Sequence, residues 1–249
     1  MKISNTELLR YSKQIILKKI GISGQKKIFS TKVLIVGVGG LGCPLALYLA
    51  NTGTGIIGLI DNDKVDISNL NRQILFNTKD IGKYKVVQAK KFLDKTNKKI
   101  KIHIYKDRLI ENNIKKILNK YDIICDCSDN FATRYLLNSF CFKSKKTLIS
   151  AAISKFSAHI FNFNFSKNIP CYRCFMPEAP DTENKCDTEG ILPTVAGIAG
   201  SLQANEVIKS ILIKKNELVG NMIIFNAFNL NFRKIKLSKN SNCLCCAKK

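Results

Sequence analysis

Long apolar runs are missing from this chain. Nowhere do about 18 apolar residues follow one another, which excludes a membrane-spanning helix. The opening stretch, MKISNTELLRYSKQ, has no apolar segment of the kind a secretory leader carries. Acidic residues are scarce, 18 against 41 Lys and Arg, which leaves a formal net charge of +23. Such an excess suggests nucleic acid, but the distribution argues otherwise. Lys is spread along the whole chain, outnumbers Arg and travels with abundant Asn and Ile, the mark of AT-rich codon usage. Aromatic residues interleaved with the cations, which base stacking requires, are lacking. The charge therefore reads as solvated surface that can steer an acidic protein partner, with no nucleic acid and no membrane. There are two histidines, His103 and His159. Each sits in a strand pattern without other ligand types beside it, and neither is assigned chemistry. No internal repeat and no low-complexity linker divides the 249 residues, so one large α/β domain is expected.

Cysteine is plentiful, with ten residues. A secreted disulfide scaffold is small and carries no internal nucleotide signature, so a reducing cytoplasm is expected. Cys171 and Cys174 in CYRC form one Cys-x-x-Cys pair, and Cys243 and Cys246 in CLCC form a second near the C-terminal end. Four thiolates in two such pairs match a tetrahedral structural Zn²⁺ site, with no open position for water. Cys245 falls between the second pair and is a possible substitute, although two intervening residues give the usual chelating knuckle. Cys43, Cys125, Cys127 and Cys141 lie in strand or helix patterns and read as small core residues. Cys186, in the polar loop ENKCDTEG, does not fit a core.

The order of elements is legible from periodicity. Apolar doublets at helical spacing predict an N-terminal helix over 5–20. KVLIVG is a short strand, 40–51 a helix, and GIIGLID a strand ending at Asp61. Strands over 101–109, 121–127 and 147–153 alternate with helices over 83–95, 111–120 and 130–143. This alternation predicts a Rossmann-like, doubly wound, mostly parallel sheet. HIFNFNF alternates with period two and reads as a later antiparallel strand. A loop over 175–193, a helix over 194–212 and a last pair of strands, MIIFNAF and FRKIKL, lead to the terminal cysteines. Within the single domain, 30–150 reads as a nucleotide-binding core and 151–249 as the part carrying the metal.

The glycine cluster GVGGLG, with Gly37, Gly39 and Gly40, lies between strand and helix. Glycines there let the backbone approach phosphates, and the helix offers free N–H groups and the positive end of its dipole. Asp61 ends the second strand, where a ribose-binding acid belongs. On these residues alone the reading is open, since an NAD-binding oxidoreductase has the same features. The residues that follow decide. DNDKVDISNLNRQILF carries Asp61, Asp63, Ser68, Asn69, Arg72 and Gln73; Lys85 follows in the loop DIGKYK, and DCSDN places Asp129 at the close of the fourth strand with Asn130 after it. Nicotinamide needs an apolar slot. Cations that neutralise a triphosphate and acids that hold Mg²⁺ suit nucleotidyl transfer.

Taken in order, RYSKQI, GVGGLG, DNDKVDISNLNRQ, DCSDN, CYRC, the Cys within NKCDTEG, GSLQANEVIK and the final cysteine pair resemble the ThiF/MoeB/HesA family, bacterial relatives of ubiquitin-activating enzymes. The resemblance covers essentially the full length. It implies ATP-dependent adenylation of the C-terminal glycine of a ubiquitin-like sulfur-carrier protein ending in Gly-Gly, with release of pyrophosphate. It also implies a homodimer and zinc on the four cysteines. Carried onto this chain, Gly40, Asp61, Ser68, Asn69, Arg72, Gln73, Lys85 and Asp129 would line the ATP site, with Asp129 holding Mg²⁺ and Arg72 and Lys85 facing the phosphates. An Arg that reaches across from the other subunit in the family corresponds to Lys13 here. Lys lacks the bidentate fork of Arg, so Arg10 is the alternative. In the ThiF branch the position of Cys186 becomes linked to the carrier as an acyl persulfide. CYRCFMPEAPDTENKCDTEG and RQILFNTKDI resemble the thiamine branch more than the molybdopterin branch. The chain shows no rhodanese-like extension, so a separate sulfur donor such as a cysteine desulfurase is expected. A scaffold that only binds the carrier is the remaining reading, and the nearly intact nucleotide set speaks against it.

Overall fold

The computed structural model describes residues 3–166, 168–180 and 190–247. Eight strands form one sheet: β1 (Lys32–Val36), β2 (Ile56–Ile60), β3 (Lys101–Tyr105), β4 (Ile123–Asp126), β5 (Thr147–Ser154), β6 (Ser157–Phe163), β7 (Asn221–Asn226) and β8 (Asn231–Lys236). Their spatial order is β3-β2-β1-β4-β5-β6-β7-β8. The first five are parallel and the last three antiparallel, as the sequence pattern predicts. Apolar, β-branched runs such as KVLIV and IIGLI suit strands covered on both faces.

Helices cover both faces. α3 (Gly42–Thr52), α4 (Lys85–Thr96) and the long α8 (Pro193–Leu212) close one side. α5 (Glu111–Leu118), α6 (Phe131–Ser144), the single turn α7 (Tyr172–Phe175) and the C-terminal tail close the other. Pro193 opens α8 at a position where its missing N–H costs nothing. α8 packs on α3, β5 and β6. It thereby ties the parallel half to the antiparallel half.

The predicted N-terminal helix over 5–20 is shorter, α1 (Asn5–Ile15), and a second helix, α2 (Gly21–Ser30), follows where none was predicted. Ser4 and Glu7 form a reciprocal capping box that starts α1. α1 is capped at Ile16, and the left-handed Gly21, with φ +57°, opens α2. Tyr11 anchors α1 by stacking edge-on against Phe29 and accepting a 2.8 Å hydrogen bond from Asn97. Two placements near the site also differ from expectation. Lys85 is the first residue of α4 and is not in the preceding loop. β4 ends at Asp126, so Asp129 lies in the turn beyond the strand and does not close it.

Candidate active site

In a doubly wound sheet, ligands bind outside the carboxyl ends of the strands where the order reverses. Here the chain runs from β1 outward to β2 and β3, then returns to place β4 on the other flank of β1. A pocket of about 660 Å³ opens at that point, over the ends of β1, β2 and β4. Of the nucleotide-site residues chosen from sequence, Gly37, Gly39, Gly40, Asp61, Asp63, Asn69, Arg72, Gln73, Lys85, Asp129 and Asn130 line it. Ser68 does not: its hydroxyl donates to Asp66 inside an exposed single turn. Lys13 is an exposed residue in the last turn of α1, and Arg10 donates a 2.7 Å hydrogen bond to the Thr96 carbonyl. Neither lines the pocket of its own chain.

The turn after β1 is pressed against the turn after β4. Gly37 has φ +90°, and a Cβ there would stand 2.7 Å from the Cys127 carbonyl oxygen. Asp61 holds this turn in place: one carboxylate oxygen accepts from the Val38 N–H at 2.7 Å, the other from the Asp63 N–H at 2.8 Å. Burial raises the Asp61 pKa, and the nearby Lys85 charge and these two N–H bonds oppose that rise. Lys85 is buried, and its ammonium donates to Asp63 at 2.9 Å. An ammonium has three donors, so two are left for a ligand. Arg72 spends Nη1 on the Ser68 carbonyl and on Asn71, and its other donors are available to an anion. Gln73 is buried, donates to Asn69 at 2.7 Å and leaves its Oε1 without a partner. Asp129 is exposed, and its carboxylate accepts one 3.2 Å hydrogen bond from Asn130. Hard divalent cations take oxygen ligands, so a carboxylate this free, beside two cations that suit phosphate, fits a nucleotide-bound Mg²⁺.

Other lining residues escaped the sequence reading: Asp107 and Arg108 after β3, Thr133 and Arg134 on α6, Ser154 at the end of β5, and Tyr172. Their position past strand ends was the available signal for the first pair. Arg134 offered none, because nothing in its local pattern shows that it points back under the site.

The four predicted metal cysteines converge beside α6 and α7, where Tyr172, between Cys171 and Cys174, also lines the pocket. The Sγ atoms of Cys171, Cys174, Cys243 and Cys246 all lie within 4.8 Å of one another, with Cys171 to Cys243 at 3.6 Å and Cys174 to Cys246 at 3.3 Å. A tetrahedron with zinc–sulfur bonds of about 2.3 Å spaces its sulfurs about 3.8 Å apart, so this set could hold such a metal. Cys245 is not one of the four; its sulfur accepts from Asn138 Nδ2 at 3.2 Å. Cys43, Cys125, Cys127 and Cys141 are buried, as predicted. Burial pushes the Cys43 thiol up to about 12, so it stays neutral and inert. His103 and His159 both have pKa values lowered, chiefly by burial, which keeps them neutral at physiological pH. Cys186 lies outside the described residues.

Fold and pocket define a class: a nucleotide-binding α/β domain with an antiparallel extension and a cluster of cysteines that closes its tail onto the body. The chain belongs to the ThiF family, whose model matches residues 11–245. It is similar to "Adenylyltransferase and sulfurtransferase MOCS3" of Culex quinquefasciatus, with 41% identity over 99% of this chain and 57% of that protein. The protein of the same name from Dictyostelium discoideum is 41% identical, over 98% of this chain and 58% of its own length. The chain thus spans just over half the length of these curated relatives. Among solved structures, E. coli MccB with AMPCPP and selenomethionine MccA superposes with a TM-score of 0.85 at 26% identity, covering 98% of this chain and 76% of that one. MccB with ATP superposes at 0.83 with 25% identity, over 98% and 75%.

Proposed function

We propose that this chain is an ATP-dependent adenylyltransferase that activates the C-terminal glycine of a ubiquitin-like sulfur-carrier protein. The single observation that carries this reading is the convergence of Asp61, Arg72, Lys85 and Asp129 with the glycine turn around one pocket. The names of the MOCS3 relatives and the nucleotides in the MccB structures support it. Gly37 to Gly40 let phosphates approach the backbone, Asp61 receives the ribose, and Arg72 and Lys85 balance the triphosphate charge. Mg²⁺ held by Asp129 supplies further neutralisation of that charge when bound. The carrier's terminal carboxylate attacks the α-phosphorus, the bond from that phosphorus to the bridging oxygen breaks, and pyrophosphate leaves. The product is an acyl-adenylate.

Lys13, with Arg10 as the alternative, serves the pocket of a second subunit in a homodimer, and Zn²⁺ occupies the four cysteines. The thiamine-branch carrier is the first choice, on the CYRC to NKCDTEG segment. The molybdopterin-type carrier is the second, because the relatives are named for adenylyl and sulfur transfer together and for no thiamine step. ATP–pyrophosphate exchange with each purified carrier tests the assignment. Exchange that needs Mg²⁺ and a Gly-Gly terminus is expected; no exchange with either carrier would sink it. Cys186 is assigned the covalent step in which sulfur is passed on. Cys186→Ser should keep exchange near wild type while losing any carrier conjugate that dithiothreitol cleaves. A conjugate that persists in that variant would remove Cys186 from the scheme.

A further inference from the structure

Beneath the turn that carries Asp129 lies a charged pair with no assigned role. Asp126 is 1% exposed at the end of β4. Its Oδ1 accepts from the Ser128 N–H at 3.0 Å and from the Ser128 hydroxyl at 2.6 Å. Its Oδ2 accepts from the Ser150 hydroxyl on β5 at 2.6 Å and lies 3.9 Å from Arg134 Nη1. Arg134, 7% exposed on α6, donates from Nη2 to the Ser128 carbonyl at 2.6 Å. Gln203 of α8 holds the Asp126 carbonyl at 2.9 Å. Ser128 is therefore fixed through its N–H, its carbonyl and its side chain at once. On the far side of Asp129, the Asn130 side chain caps α6 by accepting from the Thr133 N–H at 2.9 Å.

This arrangement is a costly way to stabilise a fold. A buried ion pair commonly stabilises no better than apolar residues of the same shape. Here Arg134 Nη1 also lacks a hydrogen-bond partner. What the pair does achieve is geometric. It locks the residue before Asp129, as the helix cap locks the residue after it, and leaves the Asp129 carboxylate itself exposed at the pocket. We propose that Arg134, through Asp126 and Ser128, is a positioning residue that sets the Asp129 carboxylate for a nucleotide-bound divalent cation. The inference rests on the reading of Asp129 as the magnesium ligand.

The test is nucleotide binding by the full chain, measured calorimetrically with ATP in buffer containing magnesium and in buffer from which magnesium is omitted. Wild type should bind more tightly with the metal. Arg134→Lys, which keeps a cation at the pocket lining, should reduce that enhancement about tenfold or more, as loss of a residue that orients a ligand does, so that affinity with magnesium falls further than metal-free affinity. Asp129→Ala should remove the enhancement, and adding Arg134→Lys to it should change nothing further, because residues that act through one another are not additive. Equal losses with and without magnesium would mean that Arg134 touches the nucleotide directly, and additive losses would mean an independent role; either overturns the proposal. Ser150→Ala, which removes one donor to Asp126, keeps the test open if Arg134→Lys does not fold. A smaller loss of the same sign supports the proposal, and an unchanged enhancement overturns it. A wild-type protein without any enhancement would instead strike at the role of Asp129 and at the adenylation reading behind it.

Discussion

Two regions of this molecule, the pocket and the cysteine cluster, are held by different physics. At the pocket, order comes from the backbone: strand ends, a left-handed glycine and short hydrogen bonds that Asp61 and Asp126 accept from neighbouring N–H groups. At the cysteine cluster, the terminal tail is gathered by four thiols that sit among Phe161, Phe163, Tyr172 and Phe175, of which Tyr172 also lines the pocket. The first arrangement is held by hydrogen bonds within the chain. The second is proposed to need its metal, because binding free energy at a site that forms only on folding is folding free energy. Chemistry and stability are thus separable on this chain, and substitutions should divide along the same line.

The sharpest break is Asp129→Ala. It should lower magnesium-dependent pyrophosphate exchange on the order of 10³-fold, the equivalent of several kcal/mol of charge stabilisation. Its melting temperature should barely move, since substitutions of an exposed residue cost about 0.5 kcal/mol or less. A large fall in melting temperature would join the two regions whose roles the account keeps apart.

Cys171→Ser should do the reverse. Metal content should fall below one zinc per chain, and thermal stability should drop on the order of 10 °C. ATP binding measured at low temperature should survive. Full zinc occupancy in Cys246→Ser would show that Cys245 can replace it.

Gly37→Ala should affect both ends of the comparison modestly. The left-handed backbone and the close Cys127 carbonyl together should cost about 1–3 kcal/mol. Nucleotide affinity should fall with it, because the two turns that frame the phosphates are pushed apart. Unchanged affinity would show that this contact does not shape the pocket.

The smallest effect expected is a gentle one with pH. Burial raises the folded-state pKa of Cys43 from about 9 for a free thiol to about 12. The unfolded thiol therefore loses its proton first, and the stability held below pH 9 is lost progressively as pH approaches 12. Cys43→Ala should flatten part of that alkaline decline in melting curves. An identical slope would assign the decline to other groups.

Much of this was legible in the sequence, and the exceptions share a cause. Glycines after a strand, Asp61 at a strand end and paired Cys-x-x-Cys motifs are local signals whose physics fixes their place. The doubly wound core and the antiparallel strands followed from period and order. What escaped depends on contacts between distant segments. Arg134 is recognisable only when α6 folds back beneath the β4 turn. Lys85 belongs to α4 because its N–H and side chain both bind Asp63, 22 positions away. The apolar doublets carried the predicted helix past the end of α1 at Ile15, and α2, which opens at the left-handed Gly21, was not predicted.

The central claim is that this pocket joins AMP to the end of a carrier protein. It is tested most directly by the intact mass of a Gly-Gly carrier after incubation with the protein, ATP and magnesium, without a sulfur source. The account predicts a carrier heavier by one AMP moiety, formed by wild type and not by Asp129→Ala. A carrier of unchanged mass from both thiamine-type and molybdopterin-type systems, together with tight binding of NADH and none of ATP, would contradict it.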